Sequence, residues 1–223
     1  MSAEGALRDG EPAGFELIET LRWEPAVGFT RLERHLARLC ASADVLGFAA
    51  DTQFIGETLR NAVGGNGPLR VRLTLAKNGE ASCAAQPFAP IGGDAVWKVA
   101  IAKTRLASDD PLIRHKTTRR AVYDAARAEF SRESADEVLL LNERGEVCEG
   151  TITTVFLDAG NGGPLRTPAL SCGLLAGVLR EEMIETGKAV EAVVTVEDLR
   201  AAKAVWAGNS LRGLIRAEWT EIA

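Results

Sequence analysis

The chain has no apolar run approaching the ~18 residues that a membrane-crossing helix needs, no CxxC pair and no Cys/His ligand cluster. Its cysteines, Cys40, Cys83, Cys148 and Cys172, are scattered, which predicts reduced thiols and indicates neither a metal site nor a disulfide-stapled secreted fold. An excess of positive charge is also missing. Against 31 Asp and Glu there are 26 Lys and Arg, a net charge of -5, so whole-molecule attraction to nucleic acid or to an anionic membrane is not expected. Any anion site must be local. Internal repeats and low-complexity tracts are absent, and Met1-Ser2-Ala3-Glu4-Gly5 is not followed by the apolar core of an export signal. The expectation is a soluble, cytoplasmic protein. What the chain does have is 223 residues that are 46% hydrophobic, enough to bury a sizeable core in one large domain or two small ones.

The pattern along the chain predicts the elements. Phe15 to Trp23 reads as a strand ending in the turn Glu24-Pro25-Ala26-Val27-Gly28. From Thr30 to Leu46 the apolar residues Leu32, Leu36, Leu39, Ala43 and Leu46 form one stripe of a helix, with Arg31, Arg34 and Arg38 off it. A second helix is predicted around Asp51 to Val63, and Leu69 to Leu75 alternates as a half-buried strand with Arg70 and Arg72 on one face. Ala95 to Ala102 reads as a strand, Thr104 to Pro111 as a connector, and Lys116 to Phe130 as a helix. Strands follow at Glu137 to Leu141 and Glu146 to Phe156 around a turn at Asn142-Glu143-Arg144-Gly145. Asn161-Gly162-Gly163-Pro164 makes another turn, Leu174 to Gly187 a helix ending at its glycine, and Ala204 to Ala207 a short strand. The resulting fold class is α+β passing into mixed α/β: a small α+β domain over 1–105 and a larger mixed α/β domain over 106–223.

Lys116 lies beside His115 and near Arg114, Arg119 and Arg120. Neighbouring positive charge together with burial makes an amine nucleophilic, whereas the same run on a solvated helix start would do nothing; cations at a helix N-terminus call for either solvent or a compensating anion. Glu149 is either a functional carboxylate or an ordinary acid at a strand end. Gly173 to Arg180 places glycines before a helix, where free N–H groups receive anions, although packing explains a glycine there equally well. Arg38 suits a bidentate contact to a phosphate, or is a surface arginine. Asn209 and Ser210 follow a strand, a usual place for ligand contacts and also for a simple turn. Arg70 and Arg72 are candidates for substrate carboxylates, which a half-exposed strand explains without function.

Taken in order, these segments resemble the class IV aminotransferases. Phe15-Glu16-Leu17-Ile18-Glu19-Thr20 is similar to the family's opening strand and Arg34-His35-Leu36-Ala37-Arg38-Leu39 to its first helix. Lys116, Glu149-Gly150-Thr151, Thr167-Pro168-Ala169-Leu170, Gly177-Val178-Leu179-Arg180 and Gly208-Asn209-Ser210 follow in family order across nearly the whole chain. The resemblance implies the two-lobed fold of type IV enzymes dependent on pyridoxal 5'-phosphate (PLP), like that of D-amino acid aminotransferase, with Lys116 as the covalent anchor and Glu149 as the partner of the pyridine nitrogen. It implies phosphate contacts from Arg38 and from the backbone at Val178 and Leu179, a phosphate or ring contact from Ser210 beside Asn209, a small amine or carboxylate substrate, and a homodimer. Three departures bear on substrate: Thr154 stands where many relatives have Asn, Leu179 replaces the usual Thr, and the hairpin commonly preceding the first strand is expected to be missing. His115-Lys116-Thr117-Thr118 with Val122-Tyr123-Asp124 most resembles the 4-amino-4-deoxychorismate lyase branch. Transamination of branched-chain or D-amino acids is the rival reaction, and a binding or regulatory domain without PLP is the alternative of another class.

Overall fold

The computed structural model describes residues 14–219; the segment Met1–Gly5 and any preceding hairpin lie outside the described residues. The chain forms two compact units, one comprising residues up to Pro90 together with His115–Arg119, the other comprising Ile91–Arg114 and everything from Arg120 onward. The boundary expected near residue 105 falls earlier because the strand starting at Val96 runs to Leu106 and belongs to the large sheet.

In the first unit, β1 (Leu17–Glu24), β2 (Gly28–Phe29), β3 (Leu69–Leu75) and β4 (Ala81–Pro87) make an antiparallel sheet in the order β2-β1-β3-β4. Helix α1 (Leu32–Leu46) packs on β1, and α2 (Thr52–Asn61) packs beside β4. The alternation of β3 buries Val71, Leu73 and Leu75, and the α1 stripe buries Leu39, Ala43 and Leu46. Helix α1 begins two residues later than its periodicity suggests, because Arg31 takes a left-handed φ of 57° at the N-cap. Asp51 caps α2 by accepting from the N–H groups of Gln53 and Phe54.

The expected helix from Lys116 is corrected. Helix α3 is Ala121–Ala128, and Lys116 lies in extended chain added to the edge of β1. The Ile18 N–H donates to the Lys116 carbonyl at 2.9 Å, the Thr118 N–H to the Glu16 carbonyl at 2.9 Å, and the Glu16 N–H to Thr118 Oγ1 at 3.0 Å. The β-branched pair Thr117-Thr118 suits this pairing, and four nearby cations disfavour a helix start.

The second unit is an eight-stranded mixed sheet. Its order is β10 (Ala189–Ala192), β9 (Leu165–Pro168), β8 (Thr154–Asp158), β11 (Ala204–Asn209), β12 (Gly213–Trp219), β5 (Val96–Leu106), β6 (Glu137–Asn142), β7 (Val147–Gly150). Alternate residues of β6 feed opposite faces: Val138 and Leu140 join the core under α3, while Leu139 and Leu141 join the core under α5 (Val196–Ala201). Helix α4 (Val178–Glu185) packs through Leu179 and Met183 on Phe156. It is shorter than the predicted Leu174–Gly187, since Leu174–Gly177 is not helical. All four cysteines are free, and no described helix is long and apolar enough to cross a membrane.

Candidate active site

Glu149 is 5% exposed on β7, and a bulge determines which way it faces. Leu141 pairs with Val147 but Leu140 pairs with Glu149, so Cys148 is an extra residue in the ladder. That slip puts Glu149 on the same face as Leu140, the face covered by α3. There Glu149 Oε1 accepts from the Tyr123 hydroxyl at 2.7 Å and from the Leu175 N–H at 3.1 Å. Burial, and then the charge of Glu149 and the hydrogen bond to it, hold the Tyr123 phenol far above its ordinary pKa, so it is a proton donor at any working pH. The Arg120 guanidinium lies 4.8 Å from the Tyr123 ring centroid and also donates to the Thr151 carbonyl at 2.5 Å.

The loop after Glu149 is organised by a second carboxylate. Glu137 is fully buried; its Oε1 accepts from the Val138 N–H at 2.9 Å, the Thr151 N–H at 3.0 Å and Thr151 Oγ1 at 2.6 Å, and its Oε2 from the Ile152 N–H at 3.2 Å and Thr153 Oγ1 at 2.7 Å. Gly150 is required beside it, since a Cβ there would meet Thr153 Oγ1 at 2.5 Å and a Glu137 oxygen at 2.8 Å. From the sequence, Glu137 reads only as a strand start, and Tyr123 and Arg120 carry no role of their own. An acid opening the wholly apolar run Val138-Leu139-Leu140-Leu141 was the available signal.

Val178 and Leu179 form the first turn of α4, whose N-cap Gly177 supplies no side-chain cap. Both are buried. The backbone N–H groups of that turn face the N-terminal end, where the helix dipole favours an anion. A Cβ on Gly177 would meet Thr154 Oγ1 at 2.8 Å, so the threonine hydroxyl packs against the entrance to the helix. Arg180, 2% exposed, ties that turn to the sheet by donating to the Pro168 carbonyl at 2.8 Å and by pairing with Glu191. Ser210 is buried at the end of β11. Asn209 uses its carboxamide within the fold: Nδ2 donates to the Ile152 carbonyl at 3.1 Å and Oδ1 accepts from the Arg212 N–H at 3.0 Å. Glu149, the α4 turn, Asn209 and Ser210 therefore belong to one connected set of strands and loops in the second unit.

Lys116 and Arg38 belong to the first unit. Arg38 grips buried Glu19 with Nε to Oε1 at 2.8 Å and Nη2 to Oε2 at 2.6 Å, and His35 Nδ1 lies 2.6 Å from the same Oε2. Burial alone would raise the Glu19 pKa, but the Arg38 charge and the hydrogen bonds from His35 and Arg38 overcome it and bring the pKa down to about 2. Strand β1 thus carries Glu19, which holds Arg38, and pairs with the segment containing Lys116. His115 Nδ1 lies 3.0 Å from Ser42 Oγ, fixing that segment to α1. Arg70 is exposed and donates to Gln86 Oε1 at 2.9 Å. No group of three or more His, Cys, Asp or Glu among the described residues is placed to hold a metal ion.

Comparison with known proteins places the chain in a family. The chain is 55% identical to a crystal structure from Mesorhizobium loti provisionally named an amino-acid aminotransferase, with a TM-score of 0.91 and coverage of 93% of this chain and 100% of that one. A Schizosaccharomyces pombe protein provisionally named an aminodeoxychorismate lyase is 31% identical over 187 residues, 81% of this chain and 80% of that one. The 4-amino-4-deoxychorismate lyase of Pseudomonas aeruginosa has a TM-score of 0.79 at 26% identity, covering 92% of this chain and 83% of that one. The model of the family amino-transferase class IV matches residues 16–218, so the chain belongs to the class IV aminotransferases and is an enzyme of that type.

Proposed function

We propose that the enzyme binds PLP and releases pyruvate from 4-amino-4-deoxychorismate, leaving 4-aminobenzoate, a step of folate biosynthesis. The observation that carries the cofactor reading is the buried Glu149 carboxylate, fixed by Tyr123 and Leu175 in the same unit as an uncapped helix start. These residues fit the group: a pyridine nitrogen calls for a carboxylate, and a phosphate calls for free N–H donors at a helix N-terminus. When bound, the cofactor supplies an electron sink for carbanion chemistry. Lys116 would hold it covalently, and its amine, when free, would take the proton from the carbon beside the substrate amine. Glu149 holds the ring nitrogen in its charged form. The N–H groups at Val178 and Leu179, with Ser210 and Arg38, hold the phosphate, and Asn209 keeps the Ser210 turn in shape.

The likeness to the Schizosaccharomyces pombe protein over four fifths of both chains supports the lyase reaction. The name of the Mesorhizobium loti structure favours the second reading, amino-group transfer, in which the Lys116 amine would move the same proton. Incubation with aminodeoxychorismate should give pyruvate and 4-aminobenzoate, and incubation with amino acids plus 2-oxoglutarate should give no glutamate; the reverse pattern assigns the transferase. Borohydride reduction of the PLP-loaded protein should trap the cofactor on Lys116, and the K116A variant should trap none. The enzyme is further proposed to be a homodimer, with light scattering giving about twice the chain mass of 23.8 kDa.

A further inference from the structure

We propose that Tyr123 is a positioning residue for Glu149, whose hydroxyl fixes the rotation of that carboxylate toward the pyridine nitrogen of the cofactor. The inference rests on the cofactor reading above and adds a residue to it. Two donors converge on one oxygen, Oε1, from different elements: the Tyr123 hydroxyl from α3 and the Leu175 N–H from the chain leading into α4. A carboxylate whose one oxygen is pinned from two directions cannot spin about its last bond, and a donor aimed at it stabilises the charged form. The phenol is itself held in place. Its ring packs against the core under α3, built from Ala126, Val138, Leu140 and Cys148, while Arg120 covers it and ties it through the Thr151 carbonyl to the loop that Glu137 organises. Of its charged neighbours, Glu149 disfavours the phenolate and Arg120 favours it, and burial outweighs both. Tyr123 therefore donates to Glu149 and does not compete with it for the proton.

Tyr123 is the only tyrosine in the chain, which makes the test clean. The probes are PLP and its 1-deaza analogue, in which carbon replaces the ring nitrogen. Wild-type protein should prefer PLP, and E149Q should abolish that preference. Y123F keeps the ring, its packing and the Arg120 contact; it should narrow the preference by about tenfold, the worth of a hydrogen bond to a charged group. A residue with a merely structural role would weaken both ligands equally. In wild-type protein labelled with 3-fluorotyrosine, the single fluorine resonance should move on PLP binding and move much less with the deaza analogue, a readout that survives even if Y123F folds poorly. If Y123F discriminates as well as wild type while E149Q does not, or if the fluorine signal responds alike to both ligands, the Tyr123 proposal is overturned and the cofactor reading stands. If wild type itself shows no preference and borohydride traps nothing on Lys116, the cofactor reading fails and takes the proposal with it.

Discussion

Removing the Glu137 side chain would take an acceptor from three backbone N–H groups and two threonine hydroxyls, of which the Thr151 N–H keeps a second one, the Val138 carbonyl at 3.0 Å, and the Ile152 N–H is only partly buried. Each buried unsatisfied donor costs about 1–3 kcal/mol, so E137A should lower the unfolding free energy by about 4 kcal/mol or more in urea titration. E137Q has the same volume but turns an acceptor into a donor facing donors. It should therefore rescue little; near-wild-type stability for E137Q would show that the charge and its acceptor geometry are not what hold the loop. Glu19 makes a different prediction. Its pKa is depressed from 4.5 to about 2, so the stability it contributes is present above its ordinary value and lost as pH falls toward 2. The loss amounts to about 3 kcal/mol. Acid unfolding followed between pH 4.5 and 2 should be shallower in E19Q than in wild type, and parallel curves would remove Glu19 from the account. At this scale the sequence singles out residues whose type suggests a chemistry, as with the proposed roles of Lys116 and Glu149. It was silent for Glu137 and Tyr123, because their importance lies in which donors a bulge and a helix bring to them.

Helix α4 begins where a glycine, a threonine and an open helix end meet. In G177A the new Cβ would stand 2.8 Å from Thr154 Oγ1, forcing either the hydroxyl or the first turn to shift, although the backbone φ of -71° suits alanine. A shift of the turn misaims its N–H groups, so G177A should weaken PLP binding by about tenfold while unfolding changes by only about 1 kcal/mol. Adding T154A, which removes the opposing oxygen, should restore much of the affinity; additive losses in the double variant would show that the two sites are independent. Elements were readable in proportion to their local signal. Helix α1 announced itself through the stripe Leu32, Leu36, Leu39, Ala43 and Leu46, and β3 through its alternation. Strands β9 and β10, four residues each and parallel, exist because each satisfies the other, which no local period records. The side chains of the segment at Lys116 allow a helix, but pairing with β1 offers its backbone better partners.

At the scale of the molecule the fold was legible because several motifs stood in family order, while the substrate was not, since residues around a substrate are assembled from separated loops and carry no fixed spacing. The cofactor reading makes one further demand on the whole chain. A net charge of -5 gives a phosphate-bearing ligand no general attraction, so binding must come from local groups. A ligand bound only by the native state stabilises it by about 2.7 kcal/mol at one hundred times its dissociation constant. For a chain of this length each kcal/mol raises the melting temperature by about 2–4 °C, so PLP should raise it by roughly 5–10 °C in scanning fluorimetry. Most of that gain should disappear in K116A, because the covalent link makes the dissociation constant small, whereas a site that merely attracts phosphate would keep it. Inorganic phosphate at the same concentration should produce almost no shift in either protein. Equal shifts of wild type and K116A by PLP would mean that the stabilisation comes from the phosphate alone and that Lys116 is not the anchor.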